Sequence, residues 1–293
     1  MFSPYKDITA GYNQGDNSMN SFGQAVTSAM PARDSILTWA FATGVCGSEN
    51  WAGLTPAQVS TNVARFVSAG KKYIISTGGA AGAFTCTTDA GFDSFISHYN
   101  SANLVGIDFD IEYAQTLADN LALVARVKAA QTKYPNLRFT FTIATLATSQ
   151  AGSSVAVDMG ASSPNPLGYE GNLVMQAIQQ GGLTNYFINL MTMDYGPPSA
   201  GNCVVSGGQC QMGQSAIQAA MDFRGFYNVP FNHIELTPMS GANDVAGETF
   251  TTGDVGTLSS WSKANGIPGI HFWSFDRDSG LSYTNGFISS LGL

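Results

Sequence analysis

Charge is scarce in this chain. Charged residues make up 11 % of its 293 positions, against roughly 25 % in an average globular protein. Basic residues are the scarcer sign: 12 Lys and Arg stand against 20 Asp and Glu, a net charge of −8. No basic run extends beyond Lys71-Lys72. A phosphate backbone would meet few counter-charges, which argues against nucleic acid as a partner. No apolar run approaches the ~20 residues of a membrane span, so no membrane association is expected. The opening "MFSPYKDITAGY" lacks the basic start and apolar stretch of a secretory leader.

Metal-ligating residues are also few. The three histidines, His98, His233 and His271, lie far apart in sequence, and the four cysteines form no CxxC pair. No zinc site and no cofactor are expected. Cys203 and Cys210 flank the glycine-rich "CVVSGGQC", and Cys46 and Cys86 each follow a strand-like run by a few residues. Both pairs are expected to close as disulfides. The alternative is four free thiols in a reducing compartment.

What is plentiful is glycine, at 33 residues, with a polar surface supplied by serine, threonine and asparagine. Such a composition is common among secreted microbial enzymes, and export is expected, with a leader no longer present before Met1. The length suits one barrel of about 250 residues or more. Strand-like runs recur at 36–41, 72–77, 104–112, 138–144, 186–194, 233–238 and 269–275, with an earlier one near Tyr5–Tyr12. Helix-like periodicity fills 55–70, 116–134, 171–181, 214–226 and 252–266. Eight strands alternating with about eight helices predict parallel pairing through right-handed crossovers. The expected fold is a (β/α)8 TIM barrel forming a single domain over 1–293, with an open doubly wound sheet as the alternative. No linker or low-complexity tract divides the chain.

One strand is chemically unusual. "NLVGIDFDIEY", residues 103–113, places Asp108, Asp110 and Glu112 at every second position. Alternation puts the three acids on one face and Ile107, Phe109 and Ile111 on the other. The acids rise about 6.6 Å per step, with Glu112 at the C-terminal end, where barrel enzymes keep their active sites. Buried like charges at this spacing cannot all ionise, so a proton is shared among them. A carboxylic acid still protonated near neutral pH is what a glycosidase needs to protonate a leaving oxygen. The competing reading is a buried acidic cluster satisfied by hydrogen bonds or a cation.

From Gly106 onward "GIDFDIE" resembles the D-G-x-D-x-D-x-E signature of glycoside hydrolase family 18. "STGG" at 76–79 resembles the family's S-x-G-G motif, "LMTMDYG" at 190–196 its M-x-Y-D region, and "HFWSFD" at 271–276 its eighth-strand tryptophan. The resemblance covers the whole chain. It implies a chitinase acting by retaining, substrate-assisted hydrolysis of β-1,4-linked N-acetylglucosamine. Glu112 would be the acid, Asp110 the group orienting the acetamido nitrogen, and Asp108 the deeper group that holds a proton and tunes Asp110. Substrate contacts would come from Tyr195, Asp194, Met191, Trp273, Ser76, Gly78 and Phe41. Two positions depart from the pattern: Val105 replaces the first Asp, and Met193 stands where the M-x-Y-D tyrosine falls, leaving the phenol to Tyr195.

Trp51, Met239 and Asn243 are weaker candidates for groove walls, and His271 reads as a core histidine. The expected partner is chitin or a chito-oligosaccharide, met by a monomer. Between the seventh strand and the next helix, 239–252 is too short for an α+β insertion domain, since one βαβ unit takes about 30 residues. An endo-acting enzyme is therefore expected. The rivals are an endo-β-N-acetylglucosaminidase acting on N-glycans and a non-catalytic chitin-binding lectin on the same barrel. Loss of one of the three acids would favour the lectin, and all three are present.

Overall fold

The structure is a computed structural model, and it describes residues 1–147 and 165–293. Strand and helix alternate eight times. The order is β1 (Tyr5–Asp7), α1 (Val26–Ala29), β2 (Ile36–Ala42), α2 (Pro56–Ser68), β3 (Lys72–Gly78), α3 (Asp89–Tyr99), β4 (Leu104–Asp110) and α4 (Leu117–Lys133). It continues with β5 (Arg138–Ala144), α5 (Tyr169–Gly181), β6 (Phe187–Met191), α6 (Met212–Tyr227), β7 (Ile234–Thr237), α7 (Thr252–Asn265), β8 (Gly269–Ile270) and α8 (Ser282–Leu291). The eight strands stand in one parallel sheet in chain order, as the alternation predicts. No helix among the described residues is long and apolar enough to cross a membrane.

The chain groups into two compact units. The first comprises Tyr5–Phe141 and Leu173–Tyr186. Its helices start where the sequence signals them. Thr55 and Thr116 cap α2 and α4, each in a reciprocal capping box with Gln58 or Asp119. Pro56 fills the first helical position of α2, where its missing N–H costs nothing. Phe109 turns away from the acids and packs on Phe84, Phe92 and Phe141. The expected alternation along β4 is therefore what the structure shows. The loops after β2 and β3 pair as short strands, Gly44–Val45 with Phe84–Thr85, and the Cys46–Cys86 disulfide ties them.

The second unit comprises Met1–Pro4, the described part of Thr142–Asn172, and Phe187–Leu293. Here Phe2 bridges Ile270 of β8, and Ser3 donates to the Ile270 carbonyl at 3.2 Å. The expected strand over 269–275 keeps a regular ladder only at Gly269–Ile270. Beyond it, His271 and Trp273 still donate to the carbonyls of Leu236 and Pro238 at 2.9 and 3.0 Å. Cys203 and Cys210 are joined, closing the loop that holds the paired strands Val205–Ser206 and Gln209–Cys210. The connection 239–252 carries one such pair, Gly241–Ala242 with Thr249–Phe250, and no insertion domain.

Candidate active site

β3 and β4 build the acid cluster in the first unit. Their register sets Ser76 beside Asp108 and Gly78 beside Asp110. Asp108 is 2 % exposed. Its Oδ2 accepts from the Tyr5 hydroxyl at 2.8 Å and from the Ser76 hydroxyl at 2.6 Å. Both donors favour the ionised form of this carboxylate. Asp110 ends the ladder and is also buried, with Oδ1 lacking a hydrogen-bond partner. Burial first, then the charges of Glu112 and Asp108, push the Asp110 carboxyl well above the usual range. The side chain of Asp110 is hydrogen-bonded to Glu112, which stabilises a proton held between them. Glu112 lies two residues past the strand and is half-buried, so it alone of the three reaches toward solvent.

The S-x-G-G stretch serves these acids through its geometry. Gly78 has φ +85°, and a Cβ there would lie 2.0 Å from the Asp110 carbonyl oxygen. Gly79 donates its N–H to that same oxygen at 3.0 Å. The ring of half-buried Phe41 covers Gly79, where a Cβ would meet it at 2.7 Å. Two of the expected substrate contacts lie beneath the surface. Ser76 is fully buried and bonded to Asp108, and Gly78 is a close-approach point between strands. Tyr5 was not singled out by sequence, because a tyrosine opening a short strand carries no signature of its own.

The second unit holds the remaining candidates. Met191 ends β6 and is half-buried. Asp194 takes φ +52°, and its Oδ1 accepts from the Val245 N–H at 2.8 Å. Tyr195 is 3 % exposed, and its hydroxyl is buried beside the Thr192 side chain. Burial, then the charge of Glu248, push its phenol well up. The phenol is thus not presented to solvent. Trp273 is half-buried, and its carbonyl accepts from the Ser240 N–H at 2.8 Å.

The weaker candidates divide similarly. Trp51 is a core residue, with no exposed surface and its indole N–H donating to the Tyr99 hydroxyl at 2.7 Å. Met239 and Asn243 are buried, and the Asn243 amide holds the carbonyls of Met239 and Gly241, each at 3.1 Å. His271 is a core residue as expected, with Nδ1 at 2.9 Å from the Ser3 carbonyl.

Comparison with known proteins concerns the fold as a whole. Domain 2 of a chitinase from Pyrococcus furiosus superposes with a TM-score of 0.71 at 21 % identity, over 99 % of this chain and 94 % of that one. A family 18 chitinase from Chromobacterium violaceum superposes with a TM-score of 0.62 at 19 % identity, over 100 % of this chain and 83 % of that one. The chain therefore has the (β/α)8 fold seen in these family 18 chitinases. In sequence, the chain is 26 % identical over 302 aligned residues to a "probable bifunctional chitinase/lysozyme" of Escherichia coli K12. That match takes in 95 % of this chain and 31 % of the relative, so the chain spans about a third of the relative's length. No family model matches the chain.

Proposed function

We propose that this protein is a chitinase that hydrolyses β-1,4-linked N-acetylglucosamine with retention of configuration. The observation that carries this reading is the Asp108–Asp110–Glu112 line. Its innermost acid accepts from two hydroxyls, its middle acid has a raised pKa, and its outermost acid is half-buried at the strand end. Glu112 donates its proton to the glycosidic oxygen as the bond to the anomeric carbon breaks. The substrate's acetamido oxygen attacks that carbon and forms an oxazolinium ion. Asp110 accepts the acetamido N–H and balances the growing positive charge. Glu112, now ionised, takes a proton from the water that opens the ring. No second carboxylate has to attack the sugar, because the nucleophile belongs to the substrate.

The single-domain reading over 1–293 belongs to the same proposal, as do action as a monomer and secretion, where disulfides persist. Phe41, Met191, Asp194 and Trp273 are the proposed sugar contacts, with Tyr195, Ser76 and Gly78 acting through the residues they support. The short 239–252 connection supports endo cleavage, since no inserted domain walls the substrate path. The test is hydrolysis of colloidal chitin beside a high-mannose glycoprotein. Soluble chito-oligomers of mixed length from the first minutes, the β-anomer appearing first, are expected. Release of glycan from the glycoprotein alone would assign the activity to N-glycans, and binding without turnover would make the protein a lectin.

A further inference from the structure

Glu248 lies in the connection between β7 and α7, just before the short strand Thr249–Phe250. Its carboxylate is buried, 2 % exposed, and both oxygens are engaged. Oε2 accepts the Tyr195 N–H at 3.1 Å and Oε1 accepts the Gly196 N–H at 2.9 Å. The contact is reciprocal, because Asp194 Oδ1 accepts the Val245 N–H at 2.8 Å. Two carboxylates thus exchange backbone partners between the turn after β6 and the turn before Thr249.

The turn after β6 needs such support. Asp194 and Gly196 have φ of +52° and +95°. A non-glycine residue in the left-handed region persists only where surrounding contacts over-determine it. Consecutive backbone N–H groups facing one anion form a nest that a carboxylate fits and a neutral amide does not. Glutamine at 248 would keep one acceptor and turn an NH2 group toward the other N–H. Burial pushes the Glu248 carboxyl up, while the two amides pull it back.

We propose that Glu248 is a positioning residue which, with Asp194, latches the turn carrying the MTMDYG motif in its sugar-binding form. This rests on the reading above that the motif meets the sugar. Neither oxygen of Glu248 is free for proton transfer, so its effect falls on binding rather than on the bond-breaking step. The sequence offered no sign of it, because Glu248 sits in "VAGETF", an ordinary polar loop.

The test compares Glu112→Gln with Glu112→Gln/Glu248→Gln, so that bound chitotetraose is not consumed. Titration calorimetry reads Kd, and amide exchange reads residues 190–196 and 243–248. Loss of a charge-assisted bond to a buried amide corresponds to about tenfold or more. The double variant should bind chitotetraose at least about tenfold more weakly, and amides on both sides of the latch should exchange faster by a similar factor. Glu112→Gln/Trp51→Phe, which loses a core hydrogen bond elsewhere, is the control for lost stability and should bind as Glu112→Gln does. An unchanged Kd in the double variant overturns the proposal, as does faster exchange at 195–196 with no change at Val245. Failure of the wild-type protein to turn over chitin would count against the activity alone, since Kd is read without turnover.

Discussion

Removing the Tyr5 hydroxyl should move the pH profile of hydrolysis without removing the acids. Tyr5 and Ser76 both donate to Oδ2 of Asp108, at 2.8 and 2.6 Å, in a fully buried setting. A hydrogen bond to a charged group contributes about 1.5–3 kcal/mol. Each hydroxyl therefore lowers the pH at which the acid cluster loses its first proton. The sign follows from what the donors favour. They stabilise the carboxylate, so their removal makes the first proton harder to lose, and the acid limb of kcat/KM must shift to higher pH. Tyr5→Phe and Ser76→Ala should each shift it upward, and the double variant by more, though by less than the sum, because both bonds share one oxygen. The assay is release from a fluorogenic chitobioside between pH 3 and pH 9, on variants shown by circular dichroism to be folded. An acid limb that stays in place in the folded double variant would refute the assignment of the charge to Asp108.

Glu112→Gln should lower kcat by about 10²–10⁴-fold, because the amide keeps the shape without the proton, while chito-oligosaccharide binding persists; a variant keeping a tenth of the activity would sink the assignment. Gly78→Ala should abolish activity and lower the melting temperature, since its Cβ would lie 2.0 Å from a backbone oxygen, whereas Gly23→Ala at φ +79° meets no atom within 4 Å and should cost only about 1–2 kcal/mol of backbone strain. Trp51→Phe should cost about 1–3 kcal/mol in chemical denaturation with kinetics unchanged, as a core position requires. Thiol titration of the denatured, unreduced protein should find none of the four cysteines reactive, and reduction should cost about 2–4 kcal/mol per bridge.

Most of the fold was legible because strand runs and turn residues recur with a fixed rhythm. Three helices were not, α1, α3 and α8. α1 is a single turn of four residues, too short to show a period; α3 and α8 carry a glycine, Gly91 and Gly286, which propensity counts against a helix. In each the glycine serves packing: a Cβ at Gly91 would lie 3.0 Å from Cys46 Sγ, and one at Gly286 would lie 3.3 Å from Val255 Cγ1. The apolar spacing of Phe92, Phe95, Ile96 and Tyr99 was the signal available for α3. The acid line was legible because β alternation fixes facing without any knowledge of neighbours. Its supports were not. Tyr5 and Asp108 are 103 positions apart, and Glu248 and Tyr195 53 apart, and each pair is defined by strand register and loop closure rather than by local pattern.

Tyr5, Ser76, Asp108, Asp110 and Glu112 all belong to the first unit and fall within residues 5–112. The groups that set where the proton resides in the proposed site thus lie in one continuous stretch of the chain. Variation in the later part, with its MTMDYG turn and its Glu248, leaves every one of these side chains in place, so the hold on a sugar can be retuned there without rewriting the acids.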